Sequence, residues 1–333
     1  MRAELIYNSH AGHALVRREL GDVVAYLRRN GWTVTTCETS RPGEATGLAR
    51  QAVRRGAQVV IAAGGDGTVN EVACGLVGSD AALGVLPVGT TNVWALQMRI
   101  PALNPIYPGT RLARWVSELE ERIESPLPIV NRYRRMLLNA ARVLVQGQTV
   151  AVDVGEANGR CFLMWAGIGL DAAITESVSQ EEKRALGSWA FVIPALDTVR
   201  GYPSADVTLT MDGKVLKTNS GLIVVSNIQL YGAVMPIGAK ACLTDAKLDV
   251  CIFKGQGLLT FVRHALKVLS RQHLRDPQIE YFQCREVVVE STRALPVHAD
   301  DEPFTRTPVT IRTLPRALRV ITSQDAPQSL FCP

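Results

Sequence analysis

The chain has 333 residues, a length that predicts two domains. Apolar residues make up 47% of the sequence and charged residues 20%, which is typical of a globular protein. The formal net charge of +5 is too small to indicate nucleic-acid binding, although it is compatible with an anionic membrane surface.

Seven cysteines lie far apart, at positions 37, 74, 161, 242, 251, 284 and 332, and none forms a C-x-x-C pair. This spacing favours a reducing compartment and argues against a zinc ribbon or a disulfide framework. Residues Met1–Glu4 do not begin a signal-peptide core, and no run of 18 apolar residues predicts a spanning helix. We therefore expect a cytoplasmic protein without a transmembrane segment.

Strand and helix patterns alternate through the first hundred residues. Ala3–Tyr7 is predicted to form a buried strand, and helical spacing then continues to a stop at Asn30-Gly31. A second strand is predicted over 32–37, and helical spacing resumes from Ala45. This alternation predicts an α/β domain with an open, mostly parallel sheet.

Two glycine turns follow consecutive strands of this domain. Gly64-Gly65-Asp66-Gly67-Thr68 comes after the apolar run 59–63, and Pro87–Asn92 comes after the strand predicted over 82–86. Glycines let the backbone approach a phosphate, and both turns are expected at the ligand-binding edge of the sheet. Asp66 would repel a phosphate, so we expect it to hold a metal ion or to take a proton from an attacking hydroxyl. The alternative is a plain strand–helix connection that needs glycine for its angles.

From Gln148 onward the pattern changes to strands joined by turns. Hairpins are predicted around Asn158-Gly159 and Asp212-Gly213. Between the two halves, an apolar stripe from Leu112 to Ile123 predicts one helix, and a second is predicted over 137–145.

The polar motifs resemble those of the lipid kinase family that includes diacylglycerol, sphingosine and ceramide kinases. The matching segments are Gly64–Thr68 with Asn70-Glu71, Leu86–Asn92, Gly167–Asp171 and Asp300–Pro303. Gly64–Thr68 alone would also fit an NAD kinase or a 6-phosphofructokinase, but the second turn about 20 residues later makes the resemblance specific. It covers roughly 1–100 and 135–322.

This resemblance implies a particular domain organisation. It predicts an α/β nucleotide-binding domain over 1–100, a helical insertion or linker over 101–135, an antiparallel β-sandwich over 136–305, and C-terminal strands over 306–333 that return to the first domain. The active site is expected in the cleft between the two domains.

The resemblance also implies cofactors, ATP and Mg²⁺, and a set of site residues. Glu302 is expected to be the general base and Asp66 a metal or nucleotide ligand; the alternative makes Asp66 the base. Asp300 is expected to support the metal. A second, structural magnesium site would use the carboxylate of Asp245 and the carbonyls of Cys242 and Lys247. The residues expected to contact the nucleotide are Asn8, Thr39, Gly64, Gly65, Asp66, Gly67, Thr68, Asn70, Glu71, Gly89, Thr90, Thr91 and Asn92.

Several positions depart from the family's pattern, among them Ser9, where proline is usual. Val93 stands where many bacterial members have an aspartate, and Ala246 and Asp301 each replace a glycine. We expect an ATP- and Mg-dependent lipid kinase that converts diacylglycerol to phosphatidic acid. The alternatives are a kinase for a sphingoid base or another lipid, an NAD kinase-like enzyme, and a nucleotide-binding regulator without catalysis.

A lipid acceptor would be met at the membrane surface, so the protein is expected to act peripherally. The stripe from Leu112 to Ile123 carries Trp115 and is followed by Arg132-Tyr133-Arg134-Arg135. This segment either contacts a membrane or packs, against the helix over 135–146 or against a second subunit in a homodimer.

Overall fold

The computed structural model describes residues 1–8, 16–102, 128–177, 198–232 and 234–332. The apolar stripe at 112–123 lies outside these residues. The chain forms two compact units, the first containing 1–151 and 318–327, and the second containing 152–317 and 328–333.

The first unit is an α/β structure. Its elements are β1 (Arg2–Asn8), α1 (Val16–Arg29), β2 (Thr33–Thr39), α2 (Glu44–Arg54), β3 (Val59–Gly64), α3 (Asp66–Leu76), β4 (Ala82–Pro87), α4 (Val93–Gln97), α5 (Pro128–Gln146) and the end of β15 (Val309–Thr322). The strands are parallel in the order β2-β1-β3-β4, with the end of β15 beside β4. Both β3 and β4 are buried along their whole length, as expected for strands of a parallel sheet. The predicted α/β domain is confirmed.

Helix α5 belongs to the first unit, although the sequence placed 136–146 in the second domain. The helix packs on β4 and α1. A Cβ atom added to Gly84 of β4 would lie 2.8 Å from Leu144 Cδ2, and Arg134 pairs with Asp22 of α1 at 2.6 Å. The boundary between the two units therefore lies after α5 rather than before it, because the first unit covers the apolar face of this helix.

The second unit is antiparallel. Its elements are β5 (Gln148–Ala157), β6 (Arg160–Phe162), β7 (Trp165–Gly169), α6 (Leu170–Ser177), β8 (Ala205–Met211), β9 (Lys214–Ser226), β10 (Leu248–Lys254), α7 (Leu258–Leu269), β11 (Ile279–Cys284), β12 (Glu286–Ser291), β13 (Pro296–Ala299) and β14 (Glu302–Arg306). Its strands run in the order β14-β13-β7-β9-β8-β12, and β10 pairs with both β9 and β11. The predicted hairpins at Asn158-Gly159 and Asp212-Gly213 are present, with positive φ at all four residues. The core is mainly aliphatic and includes Ile168, Val207, Ile223, Val250 and Val297.

Helix α7 begins at Leu258, directly after Gly257 with φ 85°. One local prediction needs correction. Cys242 and Cys332 form a disulfide with their Cα atoms 6.0 Å apart, although the sequence argued against disulfides. Spacing along the chain could not show this pairing, since the fold brings together residues 90 positions apart.

Within the described ranges, no helix has an apolar stretch long enough to cross a bilayer.

Candidate active site

The first glycine turn lies where β3 passes into α3. Strand β3 ends at Gly64, and Gly65 is the N-cap residue of α3. A Cβ atom on Gly64 would lie 2.4 Å from Thr68 Cβ, so only glycine fits this close turn. The first N–H groups of a helix lack partners within the helix and carry its positive dipole end. The turn therefore has the chemistry of a phosphate site.

The second glycine turn packs against the first. A Cβ atom on Gly89 would lie 2.4 Å from Gly65 Cα, and Val88 N–H donates to the Gly64 carbonyl at 3.2 Å. Asn92 closes this second turn from a left-handed conformation (φ 54°), because its side chain bonds both Gly89 N, at 3.1 Å, and Gly89 O, at 2.7 Å. The expectation that the two turns lie together is met within the first unit.

Asp66 joins the two turns through its carboxylate. It accepts the N–H groups of Val93 at 3.0 Å and Trp94 at 3.2 Å, at the start of α4. Each of the two carboxylate oxygens therefore binds a backbone N–H group that follows the second turn. The structure thus gives Asp66 a positioning role in the loops that the sequence motif did not reveal.

Several other residues predicted to contact the nucleotide bond to neighbouring backbone or lie in the elements around the two turns. Glu71 accepts from Gly43 N at 2.9 Å and Ala45 N at 3.0 Å, and so holds the start of α2. Thr39 bonds the Tyr7 carbonyl at 3.4 Å and links β2 to β1. Of the rest, Asn8 ends β1, Thr90 and Thr91 lie in the second turn, and Thr68 and Asn70 are buried in α3.

The predicted catalytic acids of the second unit lie in the turn between β13 and β14. Asp300 and Asp301 both have positive φ, 46° and 61°. The buried Asp300 carboxylate accepts the N–H groups of Leu163 at 2.6 Å and of Met164 and Trp165 at 2.9 Å. Burial raises the pKa of Asp300 to about 7, although the three N–H donors act in the opposite direction. Asp300 therefore organises the turn, and its predicted role in metal binding has no direct support from this geometry.

Glu302 has different surroundings from Asp300. Its carboxylate is partly exposed and forms an ion pair with Arg160, whose guanidinium lies 5.2 Å from the centre of the Phe304 ring. Sequence reasoning missed Arg160, because it lies in a hairpin 142 positions away and belongs to no motif. An arginine in this position can orient the carboxylate and supply positive charge beside it.

A buried polar cluster lies next to this turn. Asp171 accepts a hydrogen bond from the Tyr231 hydroxyl and lies 2.8 Å from His298 Nε2, while His298 Nδ1 accepts from Asp301 N–H at 3.2 Å. Burial lowers the pKa of His298, but the Asp171 carboxylate outweighs it, so the pKa is raised overall. Burial and Asp171 also hold the pKa of Tyr231 well above its usual value.

The signal for this cluster was the Gly167–Asp171 motif, to which sequence reasoning gave no chemical role. A Cβ atom on Gly167 would lie 2.0 Å from Asp171 Oδ2 and 2.2 Å from His298 Nε2. The glycine therefore makes room for the carboxylate–imidazole pair.

The predicted structural magnesium segment forms a tight turn. Asp245 accepts Lys247 N–H at 3.0 Å, and Ala246 has φ 59°, which explains why glycine suits this position. Asp153, which the sequence did not single out, accepts Ala246 N–H at 2.6 Å and Arg316 N–H at 2.7 Å. Within the described residues no three His, Cys, Asp or Glu side chains are grouped to hold a metal. The predicted site, with one carboxylate and two backbone carbonyls, stays a prediction.

Comparison with known proteins agrees with this arrangement of motifs. A family model for the diacylglycerol kinase catalytic domain matches residues 2–120, and one for the YegS C-terminal NAD kinase beta sandwich-like domain matches 165–322. The diacylglycerol kinase of Bacillus subtilis (strain 168) is 28% identical over 99% of both chains. That of Staphylococcus carnosus (strain TM300) is 25% identical over 97% of this chain and 96% of its own.

Solved structures show the same fold. A diacylglycerol kinase structure from Bacillus anthracis str. Sterne superposes with a TM-score of 0.68, at 21% identity, over 98% of both chains. Another structure from that organism superposes with a TM-score of 0.75, at 22% identity, over 98% of this chain and 96% of its own. The chain thus matches both domain models, one after the other, and is similar over nearly its whole length to proteins named diacylglycerol kinase, which is consistent with a lipid kinase.

Proposed function

We propose that this chain transfers the γ-phosphoryl group of MgATP to a lipid hydroxyl, and that the lipid is diacylglycerol. The hydroxyl oxygen forms a bond to the γ-phosphorus, the bond from that phosphorus to the β–γ bridging oxygen breaks, and a carboxylate takes the hydroxyl proton. The products are phosphatidic acid and ADP.

The observation that carries the proposal is the contact between the two glycine turns of the first unit. Gly89 lies against Gly65, and Asp66 bonds the backbone that follows the second turn. This arrangement presents the N–H groups of one helix start beside a second backbone loop, which suits a chain of phosphates better than a single anion. The Mg²⁺ arrives with ATP as part of the substrate, and the Asp66 carboxylate, at the start of α3 beside both turns, is the hard oxygen ligand that we assign to it.

The second unit supplies the better candidate for the base. Glu302 is partly exposed and bonds a side chain, whereas both Asp66 oxygens are already engaged by backbone N–H groups. We therefore keep Glu302 as the base and Asp66 as the ligand of MgATP. The names of the relatives support diacylglycerol as the acceptor, since both are called diacylglycerol kinases. A cytoplasmic location, a homodimer and the structural magnesium site stay predictions.

A lipid panel tests the function directly. Purified protein is incubated with radiolabelled ATP and Mg²⁺ and with diacylglycerol, a sphingoid base, ceramide or undecaprenol in mixed micelles. We expect label in phosphatidic acid. Label on another lipid alone would reject diacylglycerol but keep the kinase, and label on none, with measurable ATP binding, would favour the nucleotide-binding regulator.

A further inference from the structure

Helix α7 in the second unit has an apolar face that points to solvent. Leu259, Val262, Leu266 and Leu269 follow the spacing of one helical face and are 88%, 44%, 62% and 50% exposed. Leu274, shortly after the helix, is also exposed. Singly exposed leucines are common on protein surfaces, but a continuous stripe indicates an interaction site.

The orientation of this helix is held from its other face. His264 and Val268 are buried, and His264 Nε2 lies 2.8 Å from the Lys254 carbonyl. Arg263 pairs with Asp276 at 2.6 Å. Because His264 and Val268 hold the opposite face and Arg263 holds one flank, the exposed stripe is a defined feature of the fold.

The surroundings of the stripe are basic. Residues 250–275 contain no aspartate or glutamate but five lysines and arginines. Salt bridges to Glu280 and Asp276 engage two of these five, Lys254 and Arg263. Lys267 donates to the neutral Gln272 at 2.9 Å, and Arg271 and Arg275 are exposed.

We propose that α7 docks the enzyme on an anionic membrane surface, with the stripe Leu259–Leu269 in the interface and Lys267, Arg271 and Arg275 beside the headgroups. An apolar helix face flanked by basic residues has the character of an interfacial helix. A second copy of the chain is a poorer partner, since a two-fold interface would bring the same basic region against itself. For the segment from Leu112 to Arg135, sequence reasoning left membrane contact and packing open, and Arg134 pairs with Asp22 of α1.

This inference rests on the proposed lipid acceptor for its purpose, but its test needs neither nucleotide nor turnover. Wild type is sedimented with vesicles of phosphatidylcholine alone and of phosphatidylcholine with phosphatidylglycerol. We expect stronger binding to the anionic vesicles, weakened by salt. Leu259→Ser with Leu266→Ser should reduce binding at least tenfold, and Arg271→Gln with Arg275→Gln about tenfold on anionic vesicles at low salt.

The β8–β9 hairpin provides a matched control. Val215 is 63% exposed, and Lys214 and Lys217 are exposed beside it. Ser220 of β9 bridges to Gly255, just before α7, so the hairpin tip lies about 20 Å along the strand from that point. Val215→Ser with Lys214→Gln should bind vesicles like wild type.

Thermal unfolding should show that the leucine variant is folded, because the altered side chains are exposed. The proposal is overturned if wild type binds neither vesicle type, or if the leucine variant binds as well as wild type. It is also overturned if the leucine variant loses a wild-type dimer in sedimentation velocity while vesicle binding is unchanged. Kinase activity on micellar lipid without vesicle binding would reject the docking surface and keep the proposed function.

Discussion

The glycine turns of the first unit and the Asp300–Glu302 turn of the second are built on different principles. In the first unit, backbone groups make the site, and the polar side chains Asp66 and Asn92 shape that backbone. In the second unit, two carboxylates of one turn have different roles. Asp300 is buried and accepts three backbone N–H groups, whereas Glu302 is partly exposed and pairs with Arg160. A motif residue can therefore act on the ligand or on the protein, and its contacts decide between the two.

The largest effect is expected at Glu302. Glu302→Gln should lower kcat by about 10²–10⁴ because the base is lost, while ATP affinity, measured by calorimetry, changes little. Glu290→Gln alters an exposed glutamate of β12 and should leave kcat unchanged. If ATP binding is lost instead, Glu302 contacts the nucleotide and the base should be sought at Asp66.

A smaller loss is expected at Asp66. Asp66→Asn should lower kcat by at least about 10², because the amide keeps an acceptor for α4 but loses the negative charge that MgATP requires. Asp80→Asn, at an exposed carboxylate of the same unit, is the control. Turnover at the wild-type rate in Asp66→Asn would remove this residue from the site.

The close approach of the two glycine turns predicts a cost in stability. Gly89→Ala should lower the free energy of unfolding by about 1–3 kcal/mol, because its Cβ would overlap the Gly65 backbone. Gly47→Ala in α2 is the matched control, since nothing lies within 4 Å of its Cβ, and it should stabilise by up to about 1 kcal/mol. Equal stability of Gly89→Ala and wild type in urea would show that the turns do not pack this closely.

The last predicted effect concerns pH. The pKa of Asp300 is about 7 in the folded protein, above the value of about 3.9 in an unfolded chain. Between these pH values the folded state binds more protons than the unfolded state. The resulting stabilisation of the folded state is complete below about pH 4 and is lost as pH rises through about 7.

Asp300→Asn cannot titrate at this position, so it serves as the reference. The difference in unfolding free energy, wild type minus variant, should fall from about pH 4.5 to about pH 7 by up to about 1.4 kcal/mol per unit. A difference that rises with pH would show that the three N–H donors outweigh burial.

The sequence predicted the two halves of the fold because their signals are local. Helical spacing and buried strands predicted the α/β half, and asparagine–glycine and aspartate–glycine turns predicted the hairpins of the other half. The glycine turns were also predictable, since each follows an apolar strand. The position of α5 was not, because the apolar face of a helix does not specify which unit will cover it.

Local pattern thus determined the elements, their order and the family that the chain resembles. Tertiary structure decided which carboxylates are buried, which partners they have and which helix face meets solvent. Asp171 and His298 are 127 positions apart, as Arg160 and Glu302 are 142 apart, so no periodicity could pair them. Burial and through-space partners depend on how distant segments pack, and these determine whether an acidic residue holds the backbone or remains available for chemistry.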